Sequence, residues 1–374
     1  MTVCVLDTGA DPNHEQLDSR IIGFFDSING QATAYDDHGH GTHVASMLLG
    51  DGVGTSADAA RYRGVAPGAT LLAGKVLSAQ GSGTEAQIIA GIDWCVAQGA
   101  DIMSMSLGTS TGSDGQDALS QAVNNAVGAG VVAVVAAGNA GDGPETVGSP
   151  GAANLAITVG AASKASDGPY LAPFSSRGPT LDGRLKPDIV APGVAITAAD
   201  ANTGTGYATY SGTSMATPFT AGTIALALDR DGMLNAGQLK ANLAATAIDL
   251  GESGPDNNWG NGLLDAYSFV DLADGATAGP ALDLPSYTPL SAAVATNGTW
   301  THEFSIGSDD LGSTIAATVL IDGSLECSFF FFGICFIYEW SPDLDARLVD
   351  PSGQTVWLSE CPLSGDCGTT GQQE

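Results

Sequence analysis

The chain has 374 residues, 44% of them hydrophobic, which is enough for one large α/β domain and a smaller second one. Forty-one acidic residues stand against 11 basic ones, a net charge of −30, and the basic residues form no stripe, which argues against nucleic acid and anionic membranes as partners. Such a surface suits a secreted protein that resists aggregation, and more specifically one that works in high salt, where screening relieves self-repulsion.

Residues 1–9 read as a strand leading into a functional turn, with no signal-peptide pattern, so a targeting segment and any pro-segment are expected to be missing from this chain. The strand over 3–6 ends at Asp7. A helix is predicted from His40 through Leu49, a strand over 71–77, and a helix over 85–98 with Ile88, Ile89, Ile92 and Val96 on one face. A strand over 102–107, a helix over 118–129 and a strand over 131–137 follow, then strands over 156–161 and 189–190. An apolar helix over 213–228 carries Pro218 in its first turns, where proline does least harm.

Alternating strands and helices imply a mostly parallel sheet with helices on both faces, and in such sheets sites form at the carboxyl ends of strands. Asp7 ends a strand, Asn139 follows one, and His40 and Ser214 open helices. The pattern stops near residue 275. The stretch 275–291, rich in Gly, Pro, Ala and Thr, reads as a linker between a domain over 1–274 and a small β-sandwich over 292–374. Strands are predicted there over 300–306, 315–321, 329–337, 346–349 and 355–358, and the module is expected to be incomplete. The apolar, aromatic run 327–338 is too short to span a bilayer. Cys4 and Cys95, each in an apolar element, are expected to be buried free thiols. Cys327 with Cys335, and Cys361 with Cys367, form close-spaced pairs whose bonding would imply an oxidising compartment.

Three segments carry the chemistry: Val3-Cys-Val-Leu-Asp-Thr-Gly-Ala-Asp11, Asp37-His-Gly-His-Gly-Thr-His-Val-Ala45 and Tyr210-Ser-Gly-Thr-Ser-Met-Ala-Thr-Pro218. Amide hydrolysis needs a nucleophile, a proton carrier and a place for developing negative charge. The segments supply serines, histidines and aspartates for the first two. From residue type alone His38, His40 and His43 could each be the base, Ser211 or Ser214 the nucleophile, and Asp7 or Asp11 the acid.

At these residues the chain resembles the subtilase family. The likeness extends through Met105-Ser-Leu-Gly108, Ala136-Ala-Gly-Asn139 and Lys186-Pro-Asp-Ile-Val-Ala-Pro-Gly193 and covers roughly residues 1–270. The resemblance implies a subtilisin-like three-layer α/β sandwich and a secreted serine endopeptidase with Asp7, His40 and Ser214 as its triad and Asn139 as an oxyanion donor. It implies a polypeptide substrate held as an extended strand between Gly81, Ser82, Gly83 and Ser106, Leu107, Gly108. Ala136, Ala137, Gly138 and Gly148 would line the pocket before the scissile bond. These small, uncharged residues predict a large apolar side chain there, with broad tolerance. No cofactor is implied for the chemistry, and a monomer is expected. Family members often bind structural calcium, but Gln16 stands where the family has an aspartate and the loop 50–62 differs, so a calcium stays possible and unassigned. Two rival readings are a non-enzymatic relative and an acyl-transfer enzyme that ligates peptides with the same triad. The C-terminal stretch, chiefly 343–353, resembles domains appended to secreted proteases.

Overall fold

The computed structural model describes residues 1–164 and 169–273 in full, and beyond them the backbone of six short strands between Glu303 and Ser359. By internal contacts the chain divides into Met1–Asp283 and Leu284–Glu374.

In the first unit the strand β1 (Thr2–Asp7) is buried from Val3 onward. Its side chains alternate between two faces, as a strand requires. Val3 and Val5 join one core layer, and Cys4 and Leu6 join the other. The first layer holds α1 (His40–Leu49), α4 (Thr213–Arg230), α5 (Ala236–Thr246) and α6 (Ala266–Ala273); the second holds α2 (Glu85–Ala97) and α3 (Ala118–Gly128). Between them lies a sheet built with β2 (Ile21–Asp26), β3 (Thr70–Lys75), β4 (Ile102–Met105), β5 (Val132–Ala136), β6 (Ile157–Ala162) and β7 (Ile189–Pro192). Its seven strands run in the order β2-β3-β1-β4-β5-β6-β7, every pairing parallel. This is the three-layer α/β architecture that the sequence implies.

The chain places β2 and β3 on one side of β1 and the later strands on the other. The carboxyl end of β1, where Asp7 sits, is therefore the switch point at which α/β sheets open a crevice. Predicted strand ends run long by one or two residues where the last side chains leave the ladder: 71–77 becomes Thr70–Lys75, and 131–137 becomes Val132–Ala136. A two-stranded antiparallel ribbon, β8 (Ile196–Ala199) with β9 (Tyr207–Tyr210), leads into α4.

Cys4 and Cys95 are not free thiols. They are joined in a disulfide, with Cα atoms 5.8 Å apart. The physical reason is the alternation of β1: Cys4 points into the layer of α2, whose buried face carries Cys95. In sequence the two residues stand 91 positions apart, each inside its own apolar element, and only the fold brings them face to face.

In the second unit β10 (Glu303–Ile306), β11 (Ile315–Ile321), β14 (Leu344–Val349) and β15 (Thr355–Ser359) form an antiparallel sheet, and β12 (Phe329–Phe331) pairs with β13 (Ile334–Phe336). The strand predicted over 329–337 is thus a hairpin. The linker 275–291 and Cys361 and Cys367 lie outside the described residues, as does Cys327, and the side chain of Cys335 is likewise undescribed.

Candidate active site

Asp7 is fully buried, and its Oδ1 lies 2.8 Å from Nδ1 of His40, the first residue of α1. The same oxygen accepts the Thr8 N–H at 2.7 Å. The start of α1 has no side-chain cap of its own; Gly39 precedes it at φ 101°, a backbone state that side chains oppose. Asp36 does the capping from a distance. Its Oδ1 accepts the N–H groups of His38 and Gly39 and the Thr8 hydroxyl, and its Oδ2 accepts the N–H and hydroxyl of Thr42. Thr8 in turn accepts the Gly41 N–H at 2.9 Å. One buried carboxylate thus ties the turn after Asp7 to the helix that carries His40.

Burial disfavours a charged His40 ring, but the Asp7 carboxylate, by charge and hydrogen bond, and Asp36 beyond it raise the His40 pKa above its ordinary value of 6.5. The neighbouring histidines differ. His43 is buried, gives Nε2 to the Ala208 carbonyl at 3.1 Å, and is pushed down to about 4 by that burial. His38 is exposed on the loop, 6.3 Å from the His40 ring, and its Nδ1 accepts the His40 N–H. Asp11 faces away from His40: it accepts the N–H groups of Asn13 and Asn202.

Ser214 is the second residue of α4. Pro218, four residues on, has no N–H to give the Ser214 carbonyl. The Ser106 hydroxyl takes that carbonyl instead, at 2.8 Å, while the Ser214 hydroxyl donates to the Ser106 carbonyl at 3.3 Å. This reciprocal pair pins the start of α4 to the end of β4. Ser211 is a turn residue whose hydroxyl accepts the Ala195 N–H. Asn139 is fixed by its own carbonyl, which accepts the Thr213 N–H at 2.9 Å and the Thr213 hydroxyl at 3.0 Å. Among the described residues its NH2 group has no hydrogen-bond partner, and it lies near the Ser214 N–H: a Cβ at Gly212 would meet Nδ2 at 3.5 Å and the Ser214 nitrogen at 3.6 Å. Gly138, at φ 109°, makes the turn that brings it there; a Cβ at Gly138 would lie 2.9 Å from the Ser176 hydroxyl.

His40, Ser214 and Asn139 line one cleft of about 1060 Å³. Gly81, Ser82, Gly83, Ser106, Leu107, Gly108, Ala136 and Gly138 line it too. Two expected lining residues do not. Ala137 is buried against Val147 and Ala152, and Gly148 lies behind the wall, where a Cβ would strike the Thr109 carbonyl at 2.2 Å; Ser149 lines the cleft in their place. The cleft also contains His38, one of the three candidate bases, and Ile88, Leu119 and the carboxylates Glu85, Asp114 and Asp117, which lie outside the motifs. The capping pattern Thr84…Gln87 marks the helix start that bears Glu85, but only the fold turns it toward the cleft.

Gln16 is fully buried. Its NH2 donates to the Ala59 carbonyl and to the Tyr207 hydroxyl, each at 2.8 Å, and its carbonyl accepts the Gly52 N–H. An amide NH2 aimed at a carbonyl oxygen occupies the place a cation would need, so these residues do not fit a calcium ion there. Among the described residues no group of three or more His, Cys, Asp or Glu side chains is arranged to hold a metal.

The sequence profile of the Subtilase family matches residues 1–262. The chain is 42% identical over 296 residues to serine protease AprX of Bacillus subtilis (strain 168), covering 72% of this chain and 66% of that one. It is 37% identical over 265 residues to subtilisin DY of Bacillus licheniformis, covering 70% and 88%. Among solved structures, Sphericase matches with a TM-score of 0.62 at 36% identity, over 70% of this chain and 90% of the other.

Proposed function

Because the chain belongs to the subtilase family and is a subtilisin-like serine endopeptidase, we propose that Asp7, His40, Ser214 and Asn139 are the residues that cut the peptide bond. The observation that carries this assignment is the 2.8 Å contact of a buried Asp7 carboxylate with His40 Nδ1, on the cleft that also holds Ser214 and Asn139. With Nδ1–H donating to Asp7, the other ring nitrogen Nε2 is the free base. The Ser214 proton, now directed at the Ser106 carbonyl, passes to Nε2 as Oγ bonds to the substrate carbonyl carbon. The carbonyl oxygen gains negative charge, which the Asn139 NH2, the Ser214 N–H and the positive end of α4 stabilise. His40 then gives the proton to the leaving amine. Water repeats the sequence on the acyl-enzyme and restores Ser214.

The substrate lies extended between Gly81–Gly83 and Ser106–Gly108, where missing or small side chains let backbones pair. The walls formed by Ala136 and Gly138 select a large apolar side chain before the scissile bond. The chemistry uses no cofactor, and the working unit is a monomer. The buried Cys4–Cys95 disulfide and the acidic surface fit a secreted enzyme. The peptidase domain is 1–274, followed by the linker 275–291 and a β-module over 292–374.

Hydrolysis of a peptide series varied at the residue before the scissile bond tests the assignment. Ser214→Ala and His40→Ala should each lower kcat by about 10⁴-fold or more, with phenylalanine and leucine preferred in the parent enzyme. Undiminished hydrolysis in either variant would overturn the residue roles, and a strict arginine requirement would overturn the pocket reading.

A further inference from the structure

Among the described residues two lysines are buried, and they sit at opposite edges of the parallel sheet. Lys186 is at the amino edge, beside the first residues of β6 and β7. Its ammonium donates to the Ala156 carbonyl at 2.9 Å, the Thr158 hydroxyl at 2.7 Å and Asp188 at 2.6 Å. Lys75 is at the carboxyl edge, the last residue of β3, in register with Asp7 at the end of β1. Side chains alternate along each strand, and Val3 and Val5 share their core layer with Leu71 and Ala73. Lys75 therefore leaves the sheet on the same face as Asp7, toward α1.

An ammonium has three hydrogens to give, and those of Lys75 are all used. Nζ donates to the Thr8 carbonyl at 2.7 Å, to Asp37 Oδ1 at 2.5 Å and to the Leu77 carbonyl at 3.0 Å, with the Tyr35 ring centre 5.1 Å away. Thr8 gives its N–H to Asp7 and joins Asp36 and the Gly41 N–H through its hydroxyl, so with its carbonyl on Lys75 every polar group of Thr8 is committed. Asp37 stands in the loop that leads to His40, next to the Asp36 that caps it. Leu77 begins the stretch that runs to Gly81–Gly83. One buried cation thus joins the turn after Asp7, the loop before His40 and an edge of the cleft. Letting go of any partner would strand a desolvated charge or carbonyl, so the three segments are held at the lengths of its bonds.

We propose that Lys75 is a positioning residue for the Asp7–His40 pair, fixing the peptide after Asp7 against the loop that carries His40. It does so from behind the cleft wall, since Thr8 and Leu77 line the cleft and Lys75 does not. A neutral side chain of similar length cannot take its place. Methionine would keep the stem but leave the Thr8 and Leu77 carbonyls and Asp37 without their donor. The turn that aims the Asp7 carboxylate would then be free to shift against the His40 ring. A misplacement of about 1 Å in such a constellation costs about 10²-fold in rate. The inference rests on the proteolytic reading above and adds to it a residue that touches neither substrate nor the reacting atoms.

The test separates positioning from folding by counting competent sites. The end point of fluorophosphonate labelling gives the number of competent sites, and peptide hydrolysis then gives kcat per site. Lys75→Met should label to one adduct per chain, but about 10²-fold more slowly. Its kcat per site should fall by the same factor, because both reactions need His40 to take the Ser214 proton, while KM changes by less than about threefold. Lys186→Met removes an equally buried ammonium from the far edge of the sheet, so it should lower the denaturant midpoint and leave kcat per site at the parent value. Asp37→Ala takes away the one partner of Lys75 that reaches solvent, its side chain being 36% exposed, and should lower kcat per site about tenfold. A kcat per site within about twofold of the parent in folded Lys75→Met overturns the inference, and where that variant does not fold, the same result in Asp37→Ala overturns it. An equal fall in Lys186→Met overturns it too, and each of these outcomes leaves the peptidase reading intact. Labelling that does not depend on Ser214 overturns the peptidase reading and this inference with it.

Discussion

Cutting the Cys4–Cys95 bond is expected to cost the peptidase unit far more than the loss of two small side chains. The bond closes a loop whose ends are 91 residues apart. In the chain-entropy account, releasing a loop of that length adds about 4–5 kcal/mol of freedom to the unfolded state, and truncating each sulfur adds about 1 kcal/mol. The two causes separate in a mutant cycle made on a Ser214→Ala background, so that self-digestion does not accompany unfolding. Cys4→Ala alone loses the crosslink and one sulfur, about 5–6 kcal/mol. The double variant with Cys95→Ala loses only about 1 kcal/mol more, because the crosslink is already gone. Unfolding free energies from denaturant titrations, each fitted with its own slope, measure this, and a peptide joining residues 4 and 95 in a non-reducing digest verifies the bond. Single variants that each cost about 1 kcal/mol and add in the double would refute the reasoning, as would free thiols at both positions.

Asn139→Leu removes the one side-chain oxyanion donor and should lower kcat about 10²–10³-fold with little change in KM, a magnitude known from a member of this family; an unchanged kcat would remove Asn139 from the mechanism. Catalysis needs neutral His40, whose pKa is raised, so activity should fall with decreasing pH along a limb centred above 6.5. Asp36→Asn should move that limb to lower pH; a parent limb at or below 6.5, or an Asp36→Asn limb that stays in place, contradicts this. His43 is held neutral with its pKa lowered from 6.5 to about 4, so the unfolded chain takes up a proton that the folded one refuses. Its stability contribution is present above pH 6.5 and should be lost as pH falls toward 4, by about 3 kcal/mol in full. Denaturant titrations across that range should be flatter in His43→Gln, and identical slopes would contradict the assignment.

The parts of the fold that were legible in sequence share a physical trait: their own residues declare them. The strand at 3–6 is continuously apolar and ends in the Asp-Thr-Gly turn, and α4 announces itself by an apolar run with Pro218 in its first turns. β2 did carry a signal that the sequence reading leaves out: Ile21-Ile-Gly-Phe-Phe25 is an apolar run interrupted only by Gly23, and it pairs with β3 at the edge of the sheet. α5 buries only Leu239, Leu243 and Thr246; its capping box, Asn235 with Gln238, was the available signal. The triad motifs were readable because each sits in one short segment. The roles of Asp36 and Ser106 were not, because each acts through atoms that are many residues away: Thr8 for Asp36 and Ser214 for Ser106.

The central claim is that Ser214 is a nucleophile activated by His40 and Asp7. It is tested most directly by reaction with a fluorophosphonate, followed by intact mass and peptide mapping. One adduct per chain is expected, on the peptide that contains Ser214, with labelling lost in Ser214→Ala and slowed by several orders of magnitude in His40→Ala. Equal labelling of the parent chain and Ser214→Ala, or an adduct mapped to Ser211, would contradict it.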